Sequence, residues 1–345
     1  MLALALTAAT HASNAGDSAE SAAPAASSET IAGPPSPTVP QPPTRSHWID
    51  KTHDVIYDTL WRSAMGVDRY VGSEEPAGTY QKLYGTITPA VLWDQFRGFQ
   101  QKFRFHVNVP LPQLNDRFNA VIGRVNPDEF ITERAQESGA IPRQFGPPSQ
   151  DETLFGLSYR APIQDNAGFG LGAGVRIRTP LDPYLKADYT KSNGSPAHWL
   201  VTTRQTAFWE QSEHLGFTSR IDLNHFTSEL TLLQLSAAGT ISQRSEGLRG
   251  FAAATLLRSL AVRRALVGNL ALDFETRAPV ALHEFGGAIA YRQRIYRDWL
   301  ILELRSSLTW PKETPGAPRT RSFGVGIGVE MLLGTTQFQA RPATF

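Results

Sequence analysis

Between residues 299 and 310 the chain runs Trp299-Leu300-Ile301-Leu302-Glu303-Leu304-Arg305-Ser306-Ser307-Leu308-Thr309-Trp310. Leu300, Leu302, Leu304 and Leu308 fall on alternate positions, with Ile301, Glu303, Arg305 and Thr309 between them. Successive side chains of an extended strand point to opposite faces, so this stretch has one oily face and one charged face. The same period of two recurs on both sides of it. Phe103, Phe105, Val107 and Val109 alternate with Arg104, His106 and Asn108. Phe217, Ile221 and Leu223 alternate with Thr218, Arg220, Asp222 and Asn224, and Phe323, Val325, Ile327 and Val329 alternate with glycines and Glu330.

Extended along the chain, the pattern predicts an all-β protein: an antiparallel up-and-down transmembrane β-barrel of about fourteen strands, twelve being the alternative count. The strands are predicted at about 80–93, 98–110, 116–126, 152–162, 167–177, 184–191, 198–209, 216–225, 229–242, 248–260, 266–277, 284–296, 299–310 and 321–333. Short connections (Pro112–Asp116, Gln164–Ala167, Asn224–Thr227, Val262–Ala265, Arg297–Trp299) contrast with the long segments Asn126–Asp151 and Lys312–Arg319. Ser192–Ala197 is longer than its place among the short turns predicts. That is the asymmetry of an outer-membrane barrel, with tight periplasmic turns and longer external loops. An even strand number brings the chain back to the end at which it entered.

Strand length agrees. Trp199 and Trp209 are ten residues apart on one face of one strand. At ~3.3 Å per residue and a tilt of ~40°, ten steps climb roughly 25 Å, the height of a barrel's apolar band. Trp299 and Trp310 bracket another strand, and Trp93 lies at the outer end of the first, so these five rings are the expected interface girdles. Gln205 and Gln234 fit less well, because the alternation puts them on the lipid side.

The charged faces can be read as a set. Arg104, His106, Arg204, Arg220, Asp222, Asp273, Glu275, Arg292, Arg294, Glu303 and Arg305 all project opposite the oily side chains. An arginine turned toward acyl chains costs about 2–4 kcal/mol near the bilayer midplane, so these residues are expected to line the lumen. The same faces carry small residues, among them Gly170, Gly172, Gly174, Gly324, Gly326 and Gly328, whereas a soluble sandwich needs a dry inner layer there. Fourteen strands enclose more room than eight, where side chains fill the interior, and less than sixteen, where a water channel is usual. The lumen is therefore either a narrow charged pore or one filled by its own charges, a loop or a helix.

Composition narrows the rest. The 345 residues hold 33 Lys+Arg against 32 Asp+Glu, so no basic excess points to nucleic acid. There is no cysteine, which excludes a disulfide framework, thiolate metal sites and a cysteine nucleophile. Residues 1–15 read as a truncated signal segment, with Thr10-His11-Ala12 or Ser13-Asn14-Ala15 before the cut and no basic n-region. Residues 16–45 are an Ala/Ser/Pro-rich linker with too little apolar surface to offset its ordering entropy. Residues 46–78 read as a periplasmic helix and connector. Ser46 is the N-cap, Ile49, His53, Ile56, Leu60, Ala64, Val67 and Val71 share one face, and Gly72 is the C-terminal stop. The barrel follows over 79–333, and a tail over 334–345 ends in Phe345.

Tyr291-Arg292-Gln293-Arg294-Ile295-Tyr296-Arg297-Asp298-Trp299-Leu300, followed by Leu308-Thr309-Trp310-Pro311, resembles a group of poorly characterised Gram-negative outer-membrane barrel proteins. Val109-Pro110-Leu111-Pro112-Gln113-Leu114-Asn115-Asp116-Arg117, Leu181-Asp182-Pro183-Tyr184 and Arg204-Gln205-Thr206-Ala207-Phe208-Trp209 resemble the same group. The resemblance spans roughly Trp48 to Leu333. It implies a periplasmic helix and a barrel in the cell outer membrane, in contact with lipid and lipopolysaccharide and inserted by the barrel assembly machinery. It brings no activity. The tail departs from the group's expected terminal strand, since Arg341-Pro342-Ala343-Thr344 does not alternate.

Known catalytic and cofactor motifs are missing: no Gly-x-Ser-x-Gly elbow, His-Glu-x-x-His helix, phosphate loop or dinucleotide fingerprint occurs. No catalytic residue, metal ligand or cofactor is assigned. His283-Glu284 reads as a solvated pair in an outer loop rather than a metal site, and Asp273 with Glu275 as part of an ion-pair lattice rather than a glycosidase pair. Three functions remain open: a narrow porin-like channel for small solutes, a scaffold whose Ser46–Gly72 helix reaches a periplasmic partner, and a lipid-modifying enzyme in the barrel wall built around His106.

Overall fold

The computed structural model describes residues 84–111, 117–132, 151–161, 166–195, 197–245 and 247–334. The signal segment, the linker, the Ser46–Gly72 helix and the tail beyond Gly334 lie outside the described residues.

Fourteen antiparallel strands close into one barrel, each paired with its sequence neighbours and β1 with β14. They are β1 Tyr84–Asp94, β2 Gly98–Pro110, β3 Phe118–Val125, β4 Glu152–Arg160, β5 Ala167–Ile177, β6 Asp182–Ser195, β7 Trp199–Glu210, β8 His214–Ser228, β9 Thr231–Ser242, β10 Arg249–Ala261, β11 Arg264–Glu275, β12 Leu282–Arg294, β13 Leu300–Pro311 and β14 Ser322–Leu333. The fourteen-strand expectation holds and the alternative of twelve does not. Closure leaves no sheet edge, so every strand finds backbone partners on both sides. The near end is where the chain enters β1 and leaves β14. The long connections 126–151 and 312–321 both lie at the opposite, far end.

Two strands overrun their expected ends. β6 continues through Ser192–Ser195, because those residues pair with Trp199–Thr202. The connection expected over Ser192–Ala197 is therefore mostly strand. Polar side chains concealed it, since backbone pairing does not require alternation. β8 runs past the turn expected at Asn224–Thr227, and Asn224, His225 and Phe226 pair with Gln234, Leu233 and Leu232. His283 and Glu284 are in β12, not in a loop.

Directly opposed residues share a face, so the register sorts every strand position. Phe99, Phe103, Leu157, Leu185, Leu215, Leu270 and Ile289 face outward and are exposed, Leu270 at 65 %. Outward charges on the described strands, Arg124, Lys191, Arg258 and Arg264, stand toward strand ends. The outer surface is thus an oily band, and apolar surface of this extent is tolerated only against another apolar phase. Trp93, Trp199, Trp209 and Trp310 face outward on this band. Trp199 stacks on His225 at 4.8 Å and Trp310 on Phe285 at 5.4 Å, while Trp299 meets Tyr296 edge-on in the turn before β13. Gln205 also faces out and donates to Ser219 Oγ at 3.1 Å. Gln234 does not: it lies inward between Asn224 and Thr255. Leu232 and Leu233 are both apolar, so alternation alone did not fix the parity of β9.

Candidate functional site: a two-walled lumen

The interior is built from the opposite parity. On β2 to β8 the inward positions hold Lys102, Arg104, His106, Arg160, Arg176, Lys186, Asp188, Arg204, Arg220 and Asp222. On β9 to β12 the middle of the strands carries no inward charge. The positions there are Leu232, Gln234, Ser236, Ala238, Phe251, Ala253, Thr255, Leu257, Val267, Asn269, Ala271, Ala288 and Ala290. Charges on these four strands stand only near their ends: Arg249, Asp273, Glu275 and Glu284 at the far end, Arg292 and Arg294 at the near end. The lumen therefore has a charged wall and an uncharged wall.

The inward charges are tied together. Arg176 contacts Glu152 at 2.6 Å, Asp182 at 3.2 Å and also Glu210. Arg178 adds a contact to Asp182 at 2.6 Å. Arg220 grips Asp222 through two hydrogen bonds of 2.7 Å, and Ser236 donates to the same carboxylate at 2.6 Å. Glu303, 0 % exposed, lies between Arg292 at 3.2 Å and Arg305 at 2.9 Å, and Arg292 also reaches Glu330. Arg97 folds from the β1–β2 turn onto Glu284 at 2.6 Å. In these clusters each charge meets an opposite one where it leaves water, the condition under which buried ions persist.

Into this interior folds the start of the long connection after β3. Asn126 caps a one-turn helix, α1 (Pro127–Phe130), by accepting from the Asp128 amide at 3.0 Å. Proline in the first turn and Asp128 and Glu129 behind it suit a helix start. Beyond α1, Ile131 is fully buried against inward-facing Tyr184 and Phe208. Phe130 meets Tyr184 and His106 edge-on, at 6.3 and 5.8 Å between ring centres. Its carbonyl accepts from Lys186 Nζ at 2.7 Å, and the same ammonium lies 4.8 Å from its ring centre. Arg104 ties down both ends of the connection, through Glu129 at 3.5 Å and Asp151 at 2.8 Å. Tyr184 can lie across the wall because Gly156 and Gly174 are beneath its hydroxyl, where a Cβ would collide with it. Beside the loop is a cavity of about 250 Å³ lined by Asp128, Glu152, Glu210 and Glu213 with Arg176 and Arg249.

Placed on this frame, the sequence-expected residues separate into groups. Arg104 and His106 touch the inserted loop. Arg220 pairs with Asp222, and Arg204, its cross-strand partner, donates to Thr190 Oγ1 at 3.0 Å. Arg292, Glu303 and Arg305 form one cluster, with Arg294 3.8 Å from Asp298 at the near mouth. Asp273 is buried facing inward, and Glu275 is 3.9 Å from His283. Alternation alone did not single out Arg176, Glu152, Asp182, Glu210, Lys186, Tyr184 and Phe208. The parity of Gly170, Gly172 and Gly174 on β5 already pointed to Arg176, four and six residues along from two of them. Nothing in the sequence marked 126–132 as an inward loop. His106 takes Asn108 as its hydrogen-bond partner among the described residues, at 3.2 Å, with Phe130 as its ring contact and Thr86 as its cross-strand neighbour. Among the described residues no group of three metal-ligating side chains occurs.

No protein-family model and no curated protein matches the chain. Among solved structures it is similar to the outer membrane channel DcaP of Acinetobacter baumannii, at 10 % identity and a TM-score of 0.46, over 73 % of this chain and 96 % of that one. It is also similar to a mutant porin of Rh. blastica (8 %, 0.45, over 73 % and 99 %). A third is the anion-selective porin of Comamonas acidovorans (10 %, 0.42, over 73 % and 99 %).

Proposed function

We propose that this protein is an outer-membrane β-barrel forming a narrow pore for small solutes. The observation that carries the reading is the inserted loop: Phe130 and Ile131 are packed inside a closed barrel whose outer band is oily, against its charged inner wall. An oily exterior and polar interior suit a barrel that spans lipid and holds water. A loop bound to one wall narrows such a passage without sealing it by sheet closure. Mixed signs along the lumen favour weak ion selectivity.

The full-length protein in planar bilayers should give small, discrete conductance steps, larger when Ile131 is truncated to Ala. Silence from both the full chain and a chain lacking the residues before Gly78 overturns the pore. A second reading, a non-conducting envelope scaffold, is favoured by the fully buried Glu303 between two arginines, since such a lattice also holds a barrel's shape. Silent bilayers together with capture of a periplasmic protein that depends on Ser46–Gly72 would support it.

A further inference from the structure

On the outer face the oily band of β10 ends at Leu256 and that of β11 at Leu266. On both strands the next outward residue toward the near end is an arginine, Arg258 and Arg264. Arg258 is opposed to Leu266, and Arg264 is one outward step further along β11, so the two are diagonal neighbours about 7–8 Å apart at the backbone. Both are exposed, and neither meets a carboxylate among the described residues. Asp298, in the next near-end turn, is instead 3.9 Å from Arg263 and 3.8 Å from Arg294. The outward positions beside the pair are uncharged: Thr231 on β9 is opposed to Arg258, and Gln293 on β12 to Arg264. No acidic side chain points outward on any described strand. Leu256, Leu260 and Leu266 are exposed around the arginines, and Val262 at the tip of the β10–β11 turn is 96 % exposed. Between Leu256 and Ile289 the outward Gly268 leaves a notch in the band, where a Cβ would meet nothing within 4 Å.

We propose that Arg258 and Arg264 hold the phosphate of an anionic phospholipid in the periplasmic leaflet, with an acyl chain lying over Gly268. The proposal rests on the reading of the barrel as membrane-spanning, and not on conduction. Tight turns place the near end on the periplasmic side. Arginines at the edge of an apolar band rest their stems on it and extend their charged heads toward the interface. A guanidinium offers a planar fork of donors that matches phosphate oxygens two at a time. Two such forks with no acid beside them favour a headgroup of net negative charge over a zwitterionic one, whose own ammonium opposes them. Tyr291, opposed to Leu266, adds a ring at the same edge, and its hydroxyl donates to Gln293 at 3.0 Å. The exposed leucines and the notch at Gly268 suit the acyl part of the same molecule, so one lipid satisfies both halves of the patch.

The chain has no cysteine, so a single introduced one carries a local probe. The full-length protein with Gln293→Cys bears a fluorophore beside Arg264 and is inserted in phosphatidylcholine vesicles. A small fraction of headgroup-spin-labelled phosphatidylglycerol or phosphatidylcholine is then added as quencher. Met331→Cys, outward on β14 and three strands away, is the matched control. Expected is a preference of phosphatidylglycerol over phosphatidylcholine at position 293 that falls by about fivefold for each arginine changed in R258Q and R264Q, with no such change at position 331. Inorganic phosphate should leave the quenching in place when compared with chloride at matched ionic strength. Equal quenching by the two lipids, a preference that survives R258Q/R264Q, or its loss to inorganic phosphate overturns the lipid site. The two single variants replace the double one if heat-modifiable gel mobility shows it unfolded. An inserted barrel without the preference removes the site and keeps the membrane reading. A folded chain that neither lipid quenches removes both.

Discussion

The two walls of the lumen solve the same problem in opposite ways. On β2–β8, inward guanidinium, ammonium and carboxylate groups are held by specific partners, Arg176 by three carboxylates and Lys186 by the Phe130 carbonyl. On β9–β12 small and apolar side chains need no partner, and of the polar exceptions Asn269 donates to Thr255 Oγ1 at 2.7 Å and Ser236 to Asp222 on β8 at 2.6 Å. The inserted loop chooses the charged wall because its own exposed groups require partners there: the Phe130 carbonyl finds Lys186, and Glu129 and Asp151 find Arg104. Charge gives a wall specific contacts but makes it fragile to single deletions. An uncharged wall is tolerant and general.

The largest effect is expected at Glu303 on β13, whose ion cluster borders the uncharged wall at Arg292. Replacing it with Ala leaves Arg292 and Arg305 facing each other without their shared carboxylate, and breaking a buried pair in this way costs about 3–5 kcal/mol. The temperature at which heat-modifiable mobility is lost should fall clearly, whereas Ala271→Ser on the uncharged wall should leave it nearly unchanged. Next comes the loop. Ile131→Ala removes a fully buried side chain, a change worth about 2–5 kcal/mol. Hydrogen exchange at the Ile131 amide, bonded to the Pro127 carbonyl at 2.8 Å, should accelerate while strand amides stay protected.

The sorting of side chains by parity is tested by neighbours on β11. Leu270→Arg points outward and should cost about 2–4 kcal/mol in a bilayer, while Asn269→Arg points inward and should cost much less. Equal costs in refolding titrations would mean that the oily band does not face lipid. The smallest effect belongs to the uncharged wall itself. Thr255→Val removes one hydrogen bond and should cost about 1 kcal/mol by the same titration. A larger loss would show that this wall depends on its polar row as the other does on its ions.

The sequence alone determined the strand number and most strand limits, because these follow from the local two-residue repeat of an extended chain. Leu300, Leu302 and Leu304 against Glu303 and Arg305 already contain that information. It erred where neighbours share polarity, as at Leu232-Leu233, and where pairing continues through polar residues, as at Ser192–Ser195. Only the tertiary structure decided which inward charges meet. Arg176 and Glu210 are thirty-four residues apart and become partners through barrel closure, tilt and register, which no local pattern records. The inward path of Asn126–Thr132 was likewise settled by contacts with Tyr184, Phe208, Lys186 and Arg104. A loop of ordinary composition can lie outside or inside a barrel, and only the distant side chains that receive it determine which.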